Sequence, residues 1–447
     1  MSKPTFRIFT LGCKVNQYES EAIAEELLRR GFTESEKNEA DIYIINTCTV
    51  TGESDRKSGQ TVRKAIKQNP DAGVIVCGCF SQVSPARAAA ISGVDCVLGS
   101  GMKMAAADIA EELIHTGKLA SPRVIVSERP EELGFEDARI DSFPRTRAYI
   151  KIEDGCNNRC AYCIIPTARG RVRSKKPCDV IDEINRLTEG GCPEIVLTGI
   201  ETDAYGLDLE GYRLPDLIED ISKKTDARRI RLGSLDPSLF TQSFVDRVCT
   251  SPIMLPHYHI SMQSGCSETL RQMRRRVNAK GAHDALERIR AARADVQFSA
   301  DIIVGFPGET DEHFSETLEF IKRERFLNLH VFQYSKRSGT EAAARKDQVP
   351  AEIKKMRSET LIAEQAKIHA EILHENVGKE FELLVETVER DAMGNPYATG
   401  HTTSFIQMRV SCRENTQSGN IIKVVAQGTD GTVLSGASNL RRISHVR

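Results

Sequence analysis

Three cysteines with the spacing CxxxCxxC form the most distinctive chemical pattern of the sequence: Cys156, Cys160 and Cys163. They follow directly after a predicted strand, residues 148–153. Three thiolates on one loop can bind three irons of a four-iron cluster and leave the fourth iron open for a chelating cosubstrate. A structural zinc ion or unliganded thiols are the alternatives, although zinc usually takes four protein ligands. The spacing therefore predicts an iron–sulfur cluster with one open iron.

A second set of cysteines is dispersed in the sequence: Cys13, Cys48 and Cys79. Each one ends a predicted strand in the first part of the chain. Taken singly, each would usually be a buried apolar residue. Because the carboxyl ends of parallel strands lie on one edge of a sheet, we expect the three thiols to converge there. Convergence of three thiolates again indicates a cluster with an open iron.

The remaining cysteines receive different interpretations. Cys77 lies two residues before Cys79, so the two side chains point to the same face of a strand. We expect Cys77 inside the strand and Cys79 at its tip, with Cys77 as the alternative ligand. Cys96 begins a predicted strand and should lie near the opposite edge of the sheet. Five others are most simply packing residues: Cys178, Cys192, Cys249, Cys266 and Cys412.

Three segments position these cysteines. The first alternates strands and helices, which predicts a doubly wound parallel α/β sheet. A polar stretch, residues 127–147, is interpreted as a linker. The second contains six strand candidates with helices between them, which predicts a partial (β/α)6 barrel. The third has short alternating runs separated by glycine and asparagine turns, typical of a small antiparallel β-barrel. The predicted domains are residues 1–140, 141–376 and 377–447.

Composition limits the classes of partner and compartment. The chain has 447 residues, a formal net charge of −2 and 13 cysteines. Since the whole molecule is not a polycation, any nucleic-acid surface must be a local patch. The first residues do not have the pattern of a signal peptide, and the apolar runs are strand-sized. A cytoplasmic protein without a membrane partner is expected, and in a reducing compartment clustered cysteines favour metal binding over disulfides.

The CxxxCxxC loop after the first strand of a six-unit barrel resembles the radical S-adenosylmethionine (SAM) superfamily. The resemblance implies that the cluster binds SAM and cleaves it reductively to a 5′-deoxyadenosyl radical. It also implies contacts to SAM at the strand ends, from Tyr162, Thr198, Gly199, Ser234, Gln263 and Gly305.

Two cysteine triads followed by a small barrel are similar to the methylthiotransferase family. Residues 11–20 (LGCKVNQYES), 164–171 (IIPTARGR) and 332–340 (FQYSKRSGT) look most like its branch that modifies N6-threonylcarbamoyladenosine at tRNA position 37. The resemblance implies two 4Fe-4S clusters, SAM as cofactor and a C-terminal TRAM domain that binds RNA. One departure is the Gly-Ser-Leu-Asp at residues 233–236, where the pattern has Ser-Ser-Leu-Glu.

The chemistry implied is replacement of an aromatic C–H on adenine, at C2, by a methylthio group. A carbon-centred radical can abstract that hydrogen, which no ordinary base removes at neutral pH. One SAM would donate the methyl group and a second would supply the radical. We expect the N-terminal cluster, held by Cys13, Cys48 and Cys79, to carry the sulfur that is methylated, and the cluster at Cys156, Cys160 and Cys163 to cleave SAM.

Two basic runs are candidates for phosphate contacts. Arg169, Arg171 and Arg173 lie in a basic stretch beside the second cysteine loop, and Arg274 and Arg275 lie in another run. A charge run is often only a solvated face, but its place beside the cluster loop favours RNA binding. The expected partners are the anticodon stem-loop of tRNA, an electron donor such as a flavodoxin or ferredoxin, and a sulfur donor.

Other functions compete with this interpretation. The same chemistry could act on isopentenyladenosine in tRNA or on an aspartate of a ribosomal protein, although that last branch has proline at the position of Lys14. A cobalamin-binding first domain would need an Asp-x-His-x-x-Gly pattern, and His115 lacks that context. A non-catalytic, redox-sensing RNA-binding protein would bind RNA without cleaving SAM.

Overall fold

The computed structural model describes residues 3–37 and 39–442. Its N-terminal part is an α/β unit with these strands and helices: β1 (Thr5–Thr10), α1 (Lys14–Arg29), β2 (Thr33–Glu34), β3 (Ile42–Thr47), α2 (Gly52–Gln68), β4 (Gly73–Gly78), α3 (Cys79–Val83), α4 (Pro85–Ala89), β5 (Cys96–Leu98), α5 (Ala105–Thr116) and β6 (Arg123–Ile125). The six strands are all parallel, in the order β2-β1-β3-β4-β5-β6.

Both faces of this sheet are covered by helices. Every side chain of β3 and β4 is buried, as expected for central strands of a parallel sheet. Ile44 packs with Ile23 of α1 on one face. Ile45 packs with Val62 of α2 on the other face. Because successive side chains of a strand alternate between faces, one strand contributes to two apolar layers. The predicted doubly wound sheet is confirmed.

A second α/β unit follows. Its elements are β7 (Ala148–Lys151), β8 (Glu153–Asp154), α6 (Ile165–Arg169), β9 (Arg173–Ser174), α7 (Pro177–Glu189), β10 (Ile195–Thr198), α8 (Leu214–Lys224), β11 (Ile230–Leu232), α9 (Gln242–Phe244), β12 (His257–Gln263), α10 (Ser267–Gln272), α11 (Ala279–Ala292), β13 (Gln297–Val304), α12 (Asp311–Glu324), β14 (Asn328–Gln333), α13 (Glu341–Ala344) and α14 (Ala351–Glu375). Short 3₁₀ turns at Pro130–Glu132, Thr202–Ala204 and Pro237–Leu239 and a π-helical turn at Val245–Cys249 complete it.

Six parallel strands of this unit form an incomplete barrel. They lie in two three-stranded sheets, β11-β10-β7 and β12-β13-β14. Single bridges, Ile230 to Met254 and Leu235 to Ile260, join the two sheets between β11 and β12. The predicted partial barrel is confirmed. On its open side α1 packs against β7, and Tyr18 of α1 is buried in the barrel core.

The C-terminal unit is a closed five-stranded barrel: β15 (Glu380–Arg390), β16 (Pro396–Thr402), β17 (Gln407–Ser411), β18 (Ile421–Thr429) and β19 (Leu434–Arg442). Four pairings are antiparallel, whereas β17 and β19 are parallel, so the predicted antiparallel barrel is in fact mixed. Residues 443–447 of the predicted third domain lie outside the described residues.

The alternating runs that the sequence shows in this segment are residues 380–385, 405–410, 421–426 and 432–436. Strand β16 is not among them, because its inward side chains are small. Ala398, Gly400 and Thr402 are buried, and they lack the aliphatic alternation that marks a strand. A Cβ at Gly400 would lie 1.9 Å from the carbonyl oxygen of Leu384, so close pairing requires glycine there.

The predicted linker, residues 127–147, contains a 3₁₀ turn at Pro130–Glu132 and no helix or strand. It is nevertheless packed, since Ala138 and Ile140 are buried in the barrel core. Within the described residues, helices that combine enough length and apolar character to cross a bilayer are not found.

Candidate active site

The carboxyl edge of the N-terminal sheet brings Cys13, Cys48 and Cys79 together. Cys13 precedes α1, Cys48 follows β3, and Cys79 is the first residue of α3. Two glycines permit the close approach. Gly12 has φ +106, and a Cβ on it would lie 2.9 Å from Cβ of Cys48. Gly78 has φ +99, and its Cβ would lie 2.6 Å from the carbonyl oxygen of Thr47. These Gly-Cys pairs therefore place the thiols through a backbone conformation that favours glycine.

Burial governs the protonation of this triad. It raises the pKa of Cys48 to about 11, and the neighbouring Cys79 and Cys13 add to the shift. The surrounding protein also raises the pKa of Cys13, although this residue is exposed to solvent. Cys79 acts electrostatically on both Cys13 and Cys48, which indicates that the three thiols lie close together. They fit iron ligation, because coordination deprotonates a thiol outright. Cys77 is fully buried inside β4, and Cys79 lies beyond the strand, as expected from the sequence.

Arg169 connects the N-terminal triad with the barrel. Its Nε donates to Sγ of Cys79 at 3.2 Å. Its Nη1 contacts the carboxylates of Glu19 at 2.7 Å and Asp154 at 3.2 Å, and its Nη2 donates to Oδ1 of Asn16 at 2.6 Å. The side chain is fully buried. The expected RNA contact by Arg169 is therefore wrong: the guanidinium is neutralised inside the protein and is not accessible to phosphate.

The carboxylate of Glu19 is held ionised by three cations. Burial raises the pKa of Glu19, but the charges of Arg169, Lys103 and Lys151 outweigh it and hold this pKa well below its usual value. Glu19 lies on α1 of the first unit, whereas Lys151 ends β7 of the barrel. Such a buried network is costly to break, because an ion left without its partner is not solvated. It therefore fixes the N-terminal triad against the barrel.

The second triad lies on the loop between β8 and α6. Gly155 has φ +89, and a Cβ on it would lie 1.9 Å from the carbonyl oxygen of Arg171. The loop is held by hydrogen bonds from the amide of Cys156 to the carbonyl of Gly170, 3.0 Å, and from the amide of Cys163 to the carbonyl of Cys160, 3.0 Å. It lies at the carboxyl end of the first barrel strand, where barrels place their chemistry.

Each sulfur of this loop has a polar neighbour. Cys156 Sγ donates to Oε2 of Glu201 at 3.0 Å, and the amide of Ile165 donates to Sγ of Cys163 at 3.5 Å. Sγ of Cys160 accepts from Nη1 of Arg275 at 3.6 Å. Burial raises the pKa of Cys163 to about 12 and, with Glu201, that of Cys156 above its usual value. Glu201 is a site residue that sequence reasoning missed, since nothing in its local sequence separates it from any loop carboxylate.

Two further arginines predicted to bind RNA are also engaged internally. Arg275 pairs with Asp236 at 2.6 Å, and its side chain is only 7% exposed. Arg173 is buried, and its Nη1 donates to the carbonyl of Arg169 at 2.7 Å. The RNA expectation is wrong for both, since each is consumed by a structural contact. Arg171 and Arg274 remain exposed at the surface.

The expected SAM contacts lie at or just beyond the carboxyl ends of barrel strands or on the cysteine loop: Tyr162, Thr198, Gly199, Ser234, Gln263 and Gly305. At Gly199 a Cβ would lie 2.6 Å from a carboxylate oxygen of Glu153. Gln263 has φ +70, so β12 ends in a left-handed residue. These positions are compatible with a ligand above the barrel, and the contacts stay predictions.

The motif after β14 reaches the loop that carries Cys48. Arg337 donates from Nη1 to Asp55 at 3.0 Å and from Nη2 to Oγ1 of Thr49 at 2.7 Å. Ser335 Oγ accepts from the amide of Gly52 at 2.9 Å. These contacts give the 332–340 sequence a structural role in joining the barrel to the N-terminal triad.

A cavity of about 640 Å³ lies inside the barrel, where all three units meet. Lys14, the residue after Cys13, enters it from the first unit, and Phe405 closes it from the C-terminal barrel. The surrounding protein lowers the pKa of Lys14, and the charges of Arg231 and Arg147 lower it further, although the Lys14 side chain is exposed to solvent. Arg147 and Arg231 both contact the buried carboxylate of Glu194.

The described side chains that are spaced to bind a single metal ion are histidines and carboxylates and not cysteines. Within residues 3–37 and 39–442, the groups whose ligand atoms all lie within 4.8 Å of one another are His259, Asp301 and His330, and His283, Glu287 and Glu324. Neither cysteine triad meets that spacing.

Comparison with known proteins agrees with this arrangement. Residues 5–99 match the model of uncharacterized protein family UPF0004, and residues 150–321 match that of the radical SAM superfamily. The threonylcarbamoyladenosine tRNA methylthiotransferase MtaB of Bacillus subtilis is 38% identical over 94% of this chain and 93% of its own. The protein of the same name from Thermotoga maritima is 34% identical over 95% of this chain and 100% of its own.

A relative with a different name and a solved structure also match this chain. A tRNA-2-methylthio-N(6)-dimethylallyladenosine synthase from Carboxydothermus hydrogenoformans is 34% identical over 86% of this chain and 89% of its own. The solved radical SAM methyltransferase TsrM from Kitasatospora setae has a TM-score of 0.55 at 16% identity, over 77% of both chains. That last likeness concerns the fold.

Proposed function

Since the chain belongs to the radical SAM methylthiotransferase family, we propose that it acts on tRNA and converts N6-threonylcarbamoyladenosine at position 37 to its 2-methylthio derivative. The observation that carries the proposal is the joining of two cysteine triads across one buried arginine. Arg169 lies six residues after Cys163 and contacts Cys79 directly. Arg169 belongs to the barrel unit, so this contact ties the N-terminal triad to the unit that carries the second triad.

The residues of each triad fit a 4Fe-4S cluster with one open iron. When bound, the barrel cluster would supply the electron that cleaves SAM to methionine and the 5′-deoxyadenosyl radical, and the N-terminal cluster would supply a site for sulfur. Glu201, Arg275 and Asp236 surround the cysteine loop and fix its sulfur atoms. Arg169 would orient Cys79 and offset negative charge on its sulfur.

The exposed arginines Arg171 and Arg274 are proposed to contact the tRNA backbone, and the C-terminal barrel to hold the anticodon stem-loop. Two relatives that match nearly the full chain carry the threonylcarbamoyladenosine name, which supports that substrate. A dimethylallyladenosine substrate is the second candidate, because relatives with that name are 34–36% identical. Turnover would also need an electron donor, such as a flavodoxin or ferredoxin, and a sulfur donor.

The decisive test is an anaerobic assay with reconstituted protein and three substrates side by side. These are anticodon stem-loop RNAs that carry threonylcarbamoyladenosine, isopentenyladenosine or unmodified adenosine. Mass spectrometry of the nucleosides should show the methylthio group on the first RNA alone. If the methylthio group appears on the isopentenyl RNA instead, isopentenyladenosine is the substrate. If SAM is not cleaved at all, the protein is a non-catalytic RNA-binding protein.

A further inference from the structure

The barrel cavity has a strongly one-sided charge. Its lining contains three basic side chains, Lys14, Arg147 and Arg231, together with four histidines, and none of its lining residues is acidic. The ammonium of Lys14 makes neither a hydrogen bond nor an ion pair with any residue that the structure describes. The side chain of Lys14 is exposed to solvent, so its ammonium is accessible to an anion that enters the cavity.

The arginines behind Lys14 are only partly satisfied. Arg147 and Arg231 share the carboxylate of Glu194, and Arg147 also contacts Glu386. Nη2 of Arg147 and Nη1 of Arg231 nevertheless have no hydrogen-bond partner among the described residues. One shared carboxylate thus leaves an excess of positive charge at the cavity wall.

A metal ion is a poorer occupant of this cavity than an anion. His259 and His330 approach Oδ1 of Asp301 at 3.1 Å each, so the spacing alone would suit a cation. However, Lys14 and Arg231 would repel a divalent ion. Asp301 instead accepts from both imidazoles and orients them. Its hydrogen bond and charge raise the pKa of His330, which adds to the positive field.

The cavity lies beside the N-terminal triad, and this position fits the geometry of the adenine ring. Ring atom N1 separates C2, the carbon that is modified, from C6, which carries the N6 substituent. A pocket for that substituent must therefore lie beside the group that delivers sulfur. Lys14 directly follows Cys13, a proposed ligand of the sulfur-carrying cluster, and points into the cavity.

We propose that this cavity binds the carboxylate of the threonylcarbamoyl group and that Lys14 makes the contact that recognises it. The inference rests on the proposed function and names the residue that sets its specificity. Arg147 and Arg231 supply the surrounding positive field. An isopentenyl group has no charge to offer, so its entry would leave Lys14 desolvated and unpaired.

The test compares three protein variants with two RNAs. The RNAs are anticodon stem-loops with threonylcarbamoyladenosine or with its methyl amide, which lacks the negative charge. Fluorescence anisotropy gives the Kd, and mass spectrometry gives KM and kcat. Wild type should bind the carboxylate RNA more tightly. K14M should lose about tenfold to a hundredfold in affinity for the carboxylate RNA alone, as expected for a hydrogen bond to a charged group.

Two controls separate recognition from damage. K14R keeps the charge and should keep most of the preference, and K64M removes an exposed lysine of α2 and should match wild type. Because Lys14 adjoins Cys13, iron content and SAM cleavage are measured for every variant. If K14M retains the wild-type preference for the carboxylate, the inference is overturned while the proposed function stands. If wild type does not methylthiolate the carboxylate RNA at all, the proposed function itself fails.

Discussion

The buried guanidinium of Arg169 connects side chains of the N-terminal unit and of the barrel. It contacts Cys79, Asn16, Glu19 and Asp154. We expect R169M to remove one cation from each of the buried carboxylates of Glu19 and Asp154 and to destabilise the protein by about 3–5 kcal/mol. Differential scanning fluorimetry measures the fall in Tm, with R171M, at an exposed arginine two residues away, as the matched control. An equal Tm for both variants would show that the network contributes no stability.

The choice between Cys77 and Cys79 is a second question at the residue scale. Cys77 is buried inside β4, whereas Cys79 faces Cys13 and Cys48 across the sheet edge. We expect C79S to lose about half of the bound iron, as one of two four-iron clusters would, and to lose methylthiolation but not SAM cleavage. C77A should keep the iron. Iron analysis and a SAM cleavage assay decide, and loss of cleavage in folded C79S would contradict the division of labour between the triads.

At the scale of elements, the turn from β1 into α1 places Cys13 against Cys48. Gly12 has φ +106 and lies so close to Cys48 that a Cβ would be 2.9 Å away. We expect G12A to displace that loop and lower the iron content of the N-terminal triad. The conformational strain alone is about 1–2 kcal/mol.

Gly31, at the end of α1, provides the control for that substitution. Its φ is +88, and a Cβ there would meet nothing within 4 Å. G31A should therefore cost similar strain and keep all the iron. If both variants lose iron equally, strain and not the close approach to Cys48 controls the site.

At the scale of the whole molecule, Glu194 holds the barrel and the C-terminal unit together. Its carboxylate contacts Arg147, Arg229 and Arg231, while Arg147 also contacts Glu386 and Arg231 donates to the carbonyl of Thr402. Phe405 lies near the same guanidinium groups and stacks on His257 at 4.6 Å. The carboxylate of Glu194 therefore neutralises arginine side chains at the interface between the barrel and the C-terminal unit.

We expect E194Q to loosen that interface, since three buried arginines lose their anion. The loss should be about 3–5 kcal/mol at pH 7. Hydrogen exchange of residues 380–437 should rise more than that of β3 and β4. Burial raises the pKa of Glu194, but the arginines lower it to about 2. Because the folded pKa is depressed, the wild-type advantage is full above the unfolded pKa, about 4.3, and is lost as pH falls toward 2. An unchanged exchange rate would contradict the role of Glu194.

The sequence alone determined what depends on local pattern and spacing. Alternating strands and helices predicted the N-terminal sheet, six strand candidates predicted the partial barrel, and the CxxxCxxC loop followed from three residues within eight positions. The convergence of Cys13, Cys48 and Cys79 was also predictable, because parallel strands end on one edge. The glycine and the small side chains of β16 allow close backbone pairing but do not give the alternating pattern of a strand. The sequence therefore predicted the C-terminal barrel without this strand.

Tertiary structure alone decided which charges face solvent and which cancel inside. In the sequence, two basic runs look like phosphate-binding sites and contain Arg169, Arg173 and Arg275. In the structure, the partners of these arginines are side chains distant in sequence or backbone carbonyls. Lys14 looks like any helix-start lysine in the sequence, and only the tertiary structure places it at a cavity whose lining also contains Arg147 and Arg231. Charge pairing depends on separations of a few ångströms between residues far apart in sequence, and local periodicity carries no information about those separations.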